Sequence, residues 1–351
     1  MKGIIWMNKQ LPTIKQWKEL YKAAIEFQRM KCWSWMWDTD IFGVQNPETG
    51  EIGYCCIMGG AGEYFALAVY LGSEGLYGYL DLQSKKDYPS LEEILSHQNL
   101  LMASFEEKDF LQKEDFKIIK KVNPKINNPH LWPLFRSYQP GYHPWFLTAA
   151  EAKYLTLCLY QAMEVANRFK QDPNLLTSHT NNHYLVRVPK KEPTGFSWKD
   201  LWIEPLPLAK DEIILKSLDK ELLNKVNRRH LPHQGTWEAD FFYYPRAVQD
   251  KGERPYYPYV FFWVDHHSGF ILDHYLAKPD QCFREFQQQF YNIIMNMEIL
   301  PQEIRVKKEE TFRLVEPIAS ELKINLRRVK TLKMLDSAKS SMYRFINDEE
   351  E

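Results

Sequence analysis

Three aspartates in the last third of the chain are of the residue type that metal-dependent phosphoryl-transfer enzymes use. Asp240 follows Trp237 by three residues, Asp265 closes a second apolar stretch, and Asp336 precedes the last predicted helix. Such transfer needs carboxylates that hold two cations about 4 Å apart, so that the attacking and leaving oxygens are stabilised together. These aspartates are the candidate catalytic set of one hypothesis, a nuclease that depends on Mg²⁺ or Mn²⁺.

Histidines in the same part of the chain offer a second metal-binding hypothesis. They are His230, His233, His266, His267 and His274. The His-x-x-His spacing of the first two is typical of ligands, and imidazole suits zinc, copper or iron. However, adjacent histidines on an extended segment point to opposite faces, and the first pair precedes the first predicted strand. We therefore expect surface or turn histidines, with no resident metal and no other cofactor.

The elements that must position these residues follow one another regularly after Glu238. Alternating apolar residues and turn signals predict three successive strands, and helical periodicity then alternates with two further strands. The strands are ADFFYYPRAV, YVFFWVD, FILDHYLA, EIRVKK and NLRRVKTLK, and the helices are PDQCFREFQQQFYNIIMNM, TFRLVEPIASELKI and SAKSSMYRFIND. The sequence thus predicts an α/β domain of three antiparallel strands followed by alternating helices and strands.

This order of elements resembles the ribonuclease H-like fold. The sequence motifs resemble those of the catalytic core of retroviral-type integrases and transposases. Those cores begin with W-x-x-D, which Trp237 and Asp240 match, and later carry P-x-x-I-x-x-D. Pro301 and Ile304 match the second motif, but Lys307 stands where an aspartate is required. The resemblance covers residues 235–345. It implies that Asp240 occupies an ancestral metal-ligand position.

Lys307 separates the catalytic hypothesis from a non-catalytic one. A lysine brings positive charge to the position of a metal ligand, and SAKSSMYRF offers no acid for the last position. Glu309 or Glu310 would serve only after a shift of register, which turns alternate strand residues to the other face. We therefore expect a degenerate ribonuclease H-like domain, a pseudo-enzyme that acts as a binding or interaction module for nucleic acid or a partner protein.

Local charge favours a nucleic-acid partner, whereas overall charge does not. From Arg305 to Arg344 the chain has 11 basic and 5 acidic residues, a difference of +6, and a basic face attracts phosphate. The whole chain has 45 basic and 46 acidic residues and a formal charge of −1, which slightly favours the other interpretation, a solvated surface balanced by acids elsewhere. From the basic segment we select Arg327, Arg328 and Lys330 as candidate binding residues.

The first half of the chain predicts an α+β domain. A helical pattern follows Thr13, an N-cap residue, and Thr148 with Glu151 forms a capping box ahead of a long helix. The turn cluster NPETG separates two apolar runs and predicts a hairpin, and EYFALAVYLG predicts a further strand. LEEILSHQNLLMASF predicts a helix.

Aromatic residues supply two further predictions in this half. Trp33, Trp35 and Trp37 alternate, which predicts a packed face of an extended segment. Arg136 and Trp145 lie in WPLFRSYQPGYHPW, which is dense in proline, glycine and aromatics. We take both as candidate binding residues, since an arginine stacked in a groove binds ligands. The other interpretation, which we favour for Arg136, is a loop braced against a helix.

Residues 1 to 170 also resemble an N-terminal domain of uncharacterised bacterial proteins, on WMWDTDIFGVQNPETGEIGYC and WPLFRSYQPGYHPW. That resemblance implies a bacterial origin and supplies no activity. The segment PKKEPTGFSW, 189–198, predicts a linker or boundary. We expect an α+β domain at 1–190, a linker with a connecting helix at 191–234, the ribonuclease H-like domain at 235–346 and an acidic tail at 347–351.

The cellular setting is predicted from what the sequence contains. Its five cysteines include no CxxC pair, and its start lacks the apolar run of a signal peptide. No stretch approaches the ~20 apolar residues of a membrane span. We expect a reduced, cytoplasmic protein with no membrane partner.

Overall fold

The computed structural model describes residues 10–85, 87–126, 128–193, 195–208 and 220–348, without the side chains of 282–284 and 347–348. The chain divides into two compact units. The first runs to Leu208 and includes Asp250–Arg254, and the second comprises the rest. Over the described residues, no helix combines the length and the apolar character needed to cross a membrane.

The first unit is built on a seven-stranded mixed sheet. Its strands are β1 (Phe42–Gln45), β2 (Ile52–Met58), β3 (Ala66–Leu71), β4 (Leu100–Glu106), β5 (Trp132–Tyr138), β6 (Tyr184–Glu192) and β7 (Gly195–Ile203). Their order in the sheet is β5-β4-β3-β2-β1-β6-β7. β1 pairs with β6 in parallel, and the other neighbours are antiparallel.

Helices cover both faces of this sheet. They are α1 (Ile14–Met30), α2 (Gly72–Ser84), α3 (Leu91–His97), α4 (Lys113–Val122) and α5 (Ala149–Gln171). The main core lies under α1 and α5, where Leu20, Phe27, Leu155 and Leu159 are fully buried. A second cluster forms under α2 on the opposite strand residues. The sheet is therefore packed on both sides, as a mixed α/β layer structure requires.

Several predictions for this unit are confirmed. Thr13 caps α1 by accepting the Gln16 backbone N–H, and Thr148 forms the expected capping box with Glu151. β1 and β2 form the predicted hairpin around the turn cluster at 46–50. β3 follows as the next antiparallel strand.

The prediction of one helix over LEEILSHQNLLMASF is wrong in its second half. α3 ends at His97, and β4 begins at Leu100 and pairs with β3 on one side and β5 on the other. Leu100 and Leu101 are buried in that central strand. The apolar run fits a buried strand as well as a helix, and long-range pairing decides between them.

The tryptophans at 33, 35 and 37 do not form one face of an extended segment. Cys32–Ser34 is a turn of 3₁₀ helix, so the alternation is broken. Trp33 packs against Phe65, whereas the Trp35 indole N–H donates to the Ala166 carbonyl. Trp37 is exposed. The three rings therefore have three different environments.

The segment 189–198, predicted as a linker, lies in a β-hairpin. β6 and β7 pair from Tyr184 with Ile203 through Glu192 with Gly195. β6 also pairs with β1, which ties the hairpin into the first sheet. Proline and glycine in this stretch mark the end of a hairpin at the sheet edge, where a proline costs no central hydrogen bond.

The second unit contains a five-stranded mixed sheet. Its elements are α6 (Lys220–Arg228), β8 (Thr236–Tyr243), β9 (Tyr259–Asp265), β10 (Ile271–Ala277), α7 (Cys282–Met297), β11 (Glu303–Val306), α8 (Glu309–Glu321), β12 (Asn325–Arg328) and α9 (Lys333–Asp348). The order is β10-β9-β8-β11-β12. The first three strands are antiparallel, whereas β11 runs parallel to both β8 and β12.

The two faces of the second sheet carry separate cores. Trp237, Ala239 and Phe241 of β8 pack with the apolar faces of α6, α7 and α8. Phe242 packs with Leu332 and Leu335 at the start of α9. The alternation of β8 therefore assigns its odd-numbered residues to one core and Phe242 to the other.

A buried ion pair joins β5 to α4 in the first unit. Both oxygens of Asp115 accept from the Arg136 guanidinium, at 2.9 and 2.6 Å, and both side chains are almost fully buried. The guanidinium also lies 4.6 Å from the centre of the Phe146 ring. This bidentate geometry fixes the strand to the helix.

Asp115→Ala is expected to destabilise the protein by about 3–5 kcal/mol, because it leaves the Arg136 charge buried without its partner. The neighbouring Glu114→Ala is the matched control, since it removes an exposed ion pair with Lys117 that is worth about 0–1 kcal/mol. Urea denaturation followed by circular dichroism measures both. Equal effects of the two substitutions would contradict a stabilising role for the buried pair.

Candidate functional site

The candidate site centres on two acidic residues of β8 that the sheet buries. Glu238 is 1% exposed and Asp240 is 7% exposed. They are two residues apart on one strand, so their Cα atoms are separated by about 7 Å and share one parity of the alternation. β8 lies in the middle of the sheet, between β9 and β11. Two carboxylates thus occupy an otherwise apolar strand.

Glu238 is held by the start of α9 and by a histidine. The backbone N–H of Leu335 donates to one carboxylate oxygen at 2.8 Å, and His266 Nδ1 lies 2.6 Å from the other. Leu335 is in the first turn of α9, whose N–H groups have no partner within the helix. The helix terminus also carries partial positive charge. Glu238 therefore caps α9 from the sheet.

His266 connects Glu238 to an arginine. Arg305 Nη1 lies 2.6 Å from His266 Nε2, and Arg305 Nε donates to Glu303 at 2.6 Å. A guanidinium has only donors, so His266 Nε2 accepts and Nδ1 carries the proton given to Glu238. Arg305 pairs with Glu238 in the β8–β11 register. Arg305 thus donates to His266, and His266 donates to the buried carboxylate of Glu238.

Asp240 is engaged by the start of α8. Thr311, fully buried, donates its hydroxyl to one Asp240 oxygen at 3.0 Å, and Lys308 Nζ lies 3.7 Å from the same oxygen. Lys308 also donates to the Phe241 carbonyl and lies 4.8 Å from the centre of the Phe241 ring. A protein cation therefore lies beside the carboxylate of W-x-x-D.

Asp265 does not join Asp240. It pairs with Trp237 in the β8–β9 register, whereas Asp240 pairs with Phe262 three residues away, about 10 Å along the strands. Its carboxylate accepts from the Ser268 N–H and hydroxyl and from the His267 N–H. Partial burial raises the pKa of Asp265, but these hydrogen bonds outweigh it and hold the pKa below its ordinary value. Asp265 stabilises the turn between β9 and β10.

Asp336 and Lys307 also lie apart from a carboxylate cluster. Both are exposed, Asp336 in the first turn of α9 and Lys307 just after β11. Throughout the described ranges, no group of three or more His, Cys, Asp or Glu residues is placed to hold a metal ion. The three aspartates of the nuclease hypothesis are thus placed in three different settings.

The candidate histidines are also dispersed. His233 Nε2 lies 3.1 Å from the Leu322 carbonyl, and His230 has a positive φ of 47° after α6. His267 lies in the turn that Asp265 caps, and His274 is exposed on β10. Only His266 contacts a buried carboxylate among these five histidines.

Of the candidate binding residues, those in the first unit are partly inaccessible. Arg136 is committed to Asp115, so the structure places it in a bracing role. Trp145 forms a backbone bridge with Ser137, and its ring packs edge-on against Phe146. Both side chains therefore make contacts within the protein, and these contacts do not form a groove beside Arg136 in which a ligand could bind.

The candidates at β12 are accessible. Arg327, Arg328 and Lys330 are exposed at the edge strand or just after it. Arg328 forms an ion pair with Glu309, which reduces the net positive charge available there. The basic surface is therefore weaker than the count of residues predicts.

Glu238, His266 and Arg305 are the site residues that motif matching missed as a group. W-x-x-D directs attention to Asp240, whereas Glu238 lies inside the motif at a variable position. The available signal was the alternation, which gives Glu238 the same parity as Asp240 in a buried strand. The partners of Glu238 come from distant segments, and no local pattern predicts them.

Comparison with protein families matches the chain in two parts. The family model "Domain of unknown function (DUF7309)" matches residues 17–187, and "Domain of unknown function (DUF6930)" matches residues 222–343. A comparison with curated proteins finds no match. The family matches therefore give the chain two domains and no activity.

Among solved structures, the HTLV-2 integrase catalytic core domain in complex with magnesium is similar to part of the chain. Its trimeric form is 17% identical, with a TM-score of 0.25, over 34% of this chain and 73% of that chain. Its dimeric form is 18% identical, with a TM-score of 0.24, over 34% and 75%. At TM-scores this low, the likeness carries no argument about metal binding or activity.

Glu238→Ala is expected to destabilise the protein by about 3 kcal/mol or more, because it removes the partner of a helix N–H and of His266 together. Glu316→Ala is the control, since this exposed glutamate of α8 should contribute within about 0.5 kcal/mol. Thermal and urea unfolding of both variants measure the difference. A silent Glu238→Ala would contradict the capping role.

Proposed function

We propose that the protein is a non-catalytic interaction protein whose second unit is a ribonuclease H-like domain without a metal centre. Its sheet order, β10-β9-β8-β11-β12, with three antiparallel strands and two parallel additions, supports the assignment of fold. Fold alone does not imply activity.

The observation that carries the proposal is how the two buried carboxylates are used. Glu238 accepts from the α9 terminus and His266, and Asp240 accepts from Thr311 beside Lys308. A pair of divalent cations needs free carboxylate oxygens that converge on one place. Here protein donors use both oxygens of Glu238 and Oδ1 of Asp240, and Lys308 Nζ lies 3.7 Å from that Asp240 oxygen. Binding a metal would require displacing this cation.

The positive charges at the carboxyl end of β11 support the same conclusion. Lys307 and Lys308 follow the strand, where the integrase-like motif requires an acid. In an open α/β sheet, the carboxyl ends of the strands are where ligands bind. Cations at that end suit an anionic partner and repel divalent metals. The proposed partner is nucleic acid or an acidic protein surface.

We expect no cleavage when the full chain is incubated with labelled single- or double-stranded DNA or RNA and Mg²⁺ or Mn²⁺, because among the residues that the structure describes no group of carboxylates is placed to bind the cations. Gel electrophoresis of the products tests this expectation, with Asp240→Ala as the matched variant. Cleavage by the wild-type protein that Asp240→Ala abolishes would overturn the proposal. Fluorescence anisotropy of the same labelled nucleic acids at two salt concentrations then tests the nucleic-acid partner: binding that weakens with salt supports it, whereas absence of binding leaves the acidic protein surface.

A further inference from the structure

The sheet of the second unit is covered unequally on its two faces. One face packs against α6, α7 and α8. On the other, α9 alone among the described helices contributes to the core, and it packs on β8 and β9. β10 is the edge strand beyond β9. The position beside α9, above β10, therefore has no covering helix within the described chain.

A groove occupies that position. It has a cavity volume of about 630 Å³ and lies between α9 and the β9–β10 hairpin. Its floor is formed by Val260 and Phe262 of β9, and Ile271 and Leu276 of β10 form its outer side. Leu276 is 52% exposed and Ile271 is 37% exposed. The register places both residues on the face that α9 shares, opposite Val260 and Val264. The groove is thus an uncovered apolar sheet surface.

The wall on α9 has the spacing of one helical face. Met334 lines the groove together with Ala338, Ser341 and Met342, which follow it by four, seven and eight residues. This stripe extends about 12 Å along the helix, at 1.5 Å per residue. Small residues at its centre permit close approach of another helix, and methionines at its ends adapt to varied side chains. The wall suits a helix lying alongside α9.

Exposed aromatic residues extend the groove at both ends. A Cβ built on Gly269 would lie 3.5 Å from Met334 Sδ, which places the β9–β10 turn and its neighbour Phe270 near the first end. Phe345, three residues after Met342, is on the same face of α9 at the other end. Phe270 is 70% exposed and Phe345 is 66% exposed. Exposed apolar surface that continues a groove marks an interaction site.

The charges beside the stripe favour an acidic occupant. Successive residues of a helix are rotated by about 100° around its axis. On this measure the exposed Lys333 and Arg344 both lie on one side of the stripe, roughly 100° or less from its residues. Asp336 lies on the opposite side of α9 from Met334. The exposed His274 lines the groove itself. Cations along one border attract carboxylates on the polar face of a partner.

We infer that this groove binds an acidic amphipathic helix of a partner protein, which lies alongside α9 and covers β10. The inference rests on the proposed function, because it names the class of partner for a non-catalytic module. A helix in an apolar groove is a recurring recognition mode, with anchors at i, i+3, i+4 and i+7. It also supplies the missing layer of the sheet.

The test uses the full chain and a synthetic fluorescein-labelled peptide. The peptide is about 18 residues long, with leucines at i, i+3, i+4 and i+7 on one face and glutamates on the other. Two control peptides accompany it, one with the leucine spacing scrambled and one with lysine in place of glutamate. Fluorescence anisotropy gives the dissociation constants.

Two neighbouring serines of α9 provide matched variants. Ser341→Trp fills the groove, whereas Ser340→Trp places the same ring on the exposed side, where the Ser340 hydroxyl bonds the Asp336 carbonyl. Ser341→Trp should weaken peptide binding roughly tenfold or more. The indole ring would occupy the space that the bound helix needs, and a close-packed interface cannot accept the added volume. Ser340→Trp should bind as the wild type does. Equal thermal unfolding of the two variants confirms that both fold.

Several results would overturn the inference: absence of peptide binding, equal binding of the scrambled or lysine peptide, or equal effects of the two tryptophans. Wild-type dimers that Ser341→Trp dissociates, seen by sedimentation, would assign the groove to a second copy instead. The cleavage assay on the same preparations keeps the proposals apart. Cleavage contradicts the proposed function, whereas absence of both cleavage and peptide binding contradicts only the helix-binding groove.

Discussion

A carboxylate buried inside an apolar sheet must find hydrogen-bond partners, because burying a polar group without them is costly. β8 buries two such groups, and their partners come from three elements that follow it in sequence. Glu238 uses the first turn of α9 and His266, and Asp240 uses the first turn of α8. Each carboxylate thus contacts the first turn of a helix, Glu238 through a backbone N–H of α9 and Asp240 through the Thr311 hydroxyl of α8. Since α9 is also one wall of the apolar groove, the same constraint shapes the surface proposed for binding.

The fold could be predicted where each segment has one dominant period. Trp237, Ala239 and Phe241 alternate with the other β8 residues, and the capping residues Thr13 and Thr148 mark the starts of their helices. Prediction failed at 91–105 because a leucine-rich run fits a helix or a buried strand, and only pairing with two distant strands decides. It failed at 189–198 because proline and glycine occur both in linkers and at hairpin ends.

The sequence predicts which strand carries the site, but it does not predict which side chains contact the carboxylates of that strand. Lys307 led to the expectation of a broken metal-ligand pattern, and W-x-x-D located the strand. Sequence reasoning could not find that Lys308, the next residue, would lie beside Asp240, because the turn after β11 sets its direction. Nor could it bring His266 and Arg305 to Glu238, since these residues meet only when β9 and β11 flank β8. Contacts between distant segments therefore carried the information that local patterns lacked.

The central claim is that protein donors, and not divalent cations, occupy the carboxylates of β8. Crystals of the full chain soaked in Mn²⁺ test it most directly, because anomalous scattering locates each bound Mn²⁺ ion independently of the protein coordinates. The account predicts no anomalous peak within bonding distance of Glu238 or Asp240, with Lys308 and His266 retaining their contacts. A peak that both carboxylates coordinate, with Lys308 displaced, would contradict the account and restore the metal-dependent nuclease.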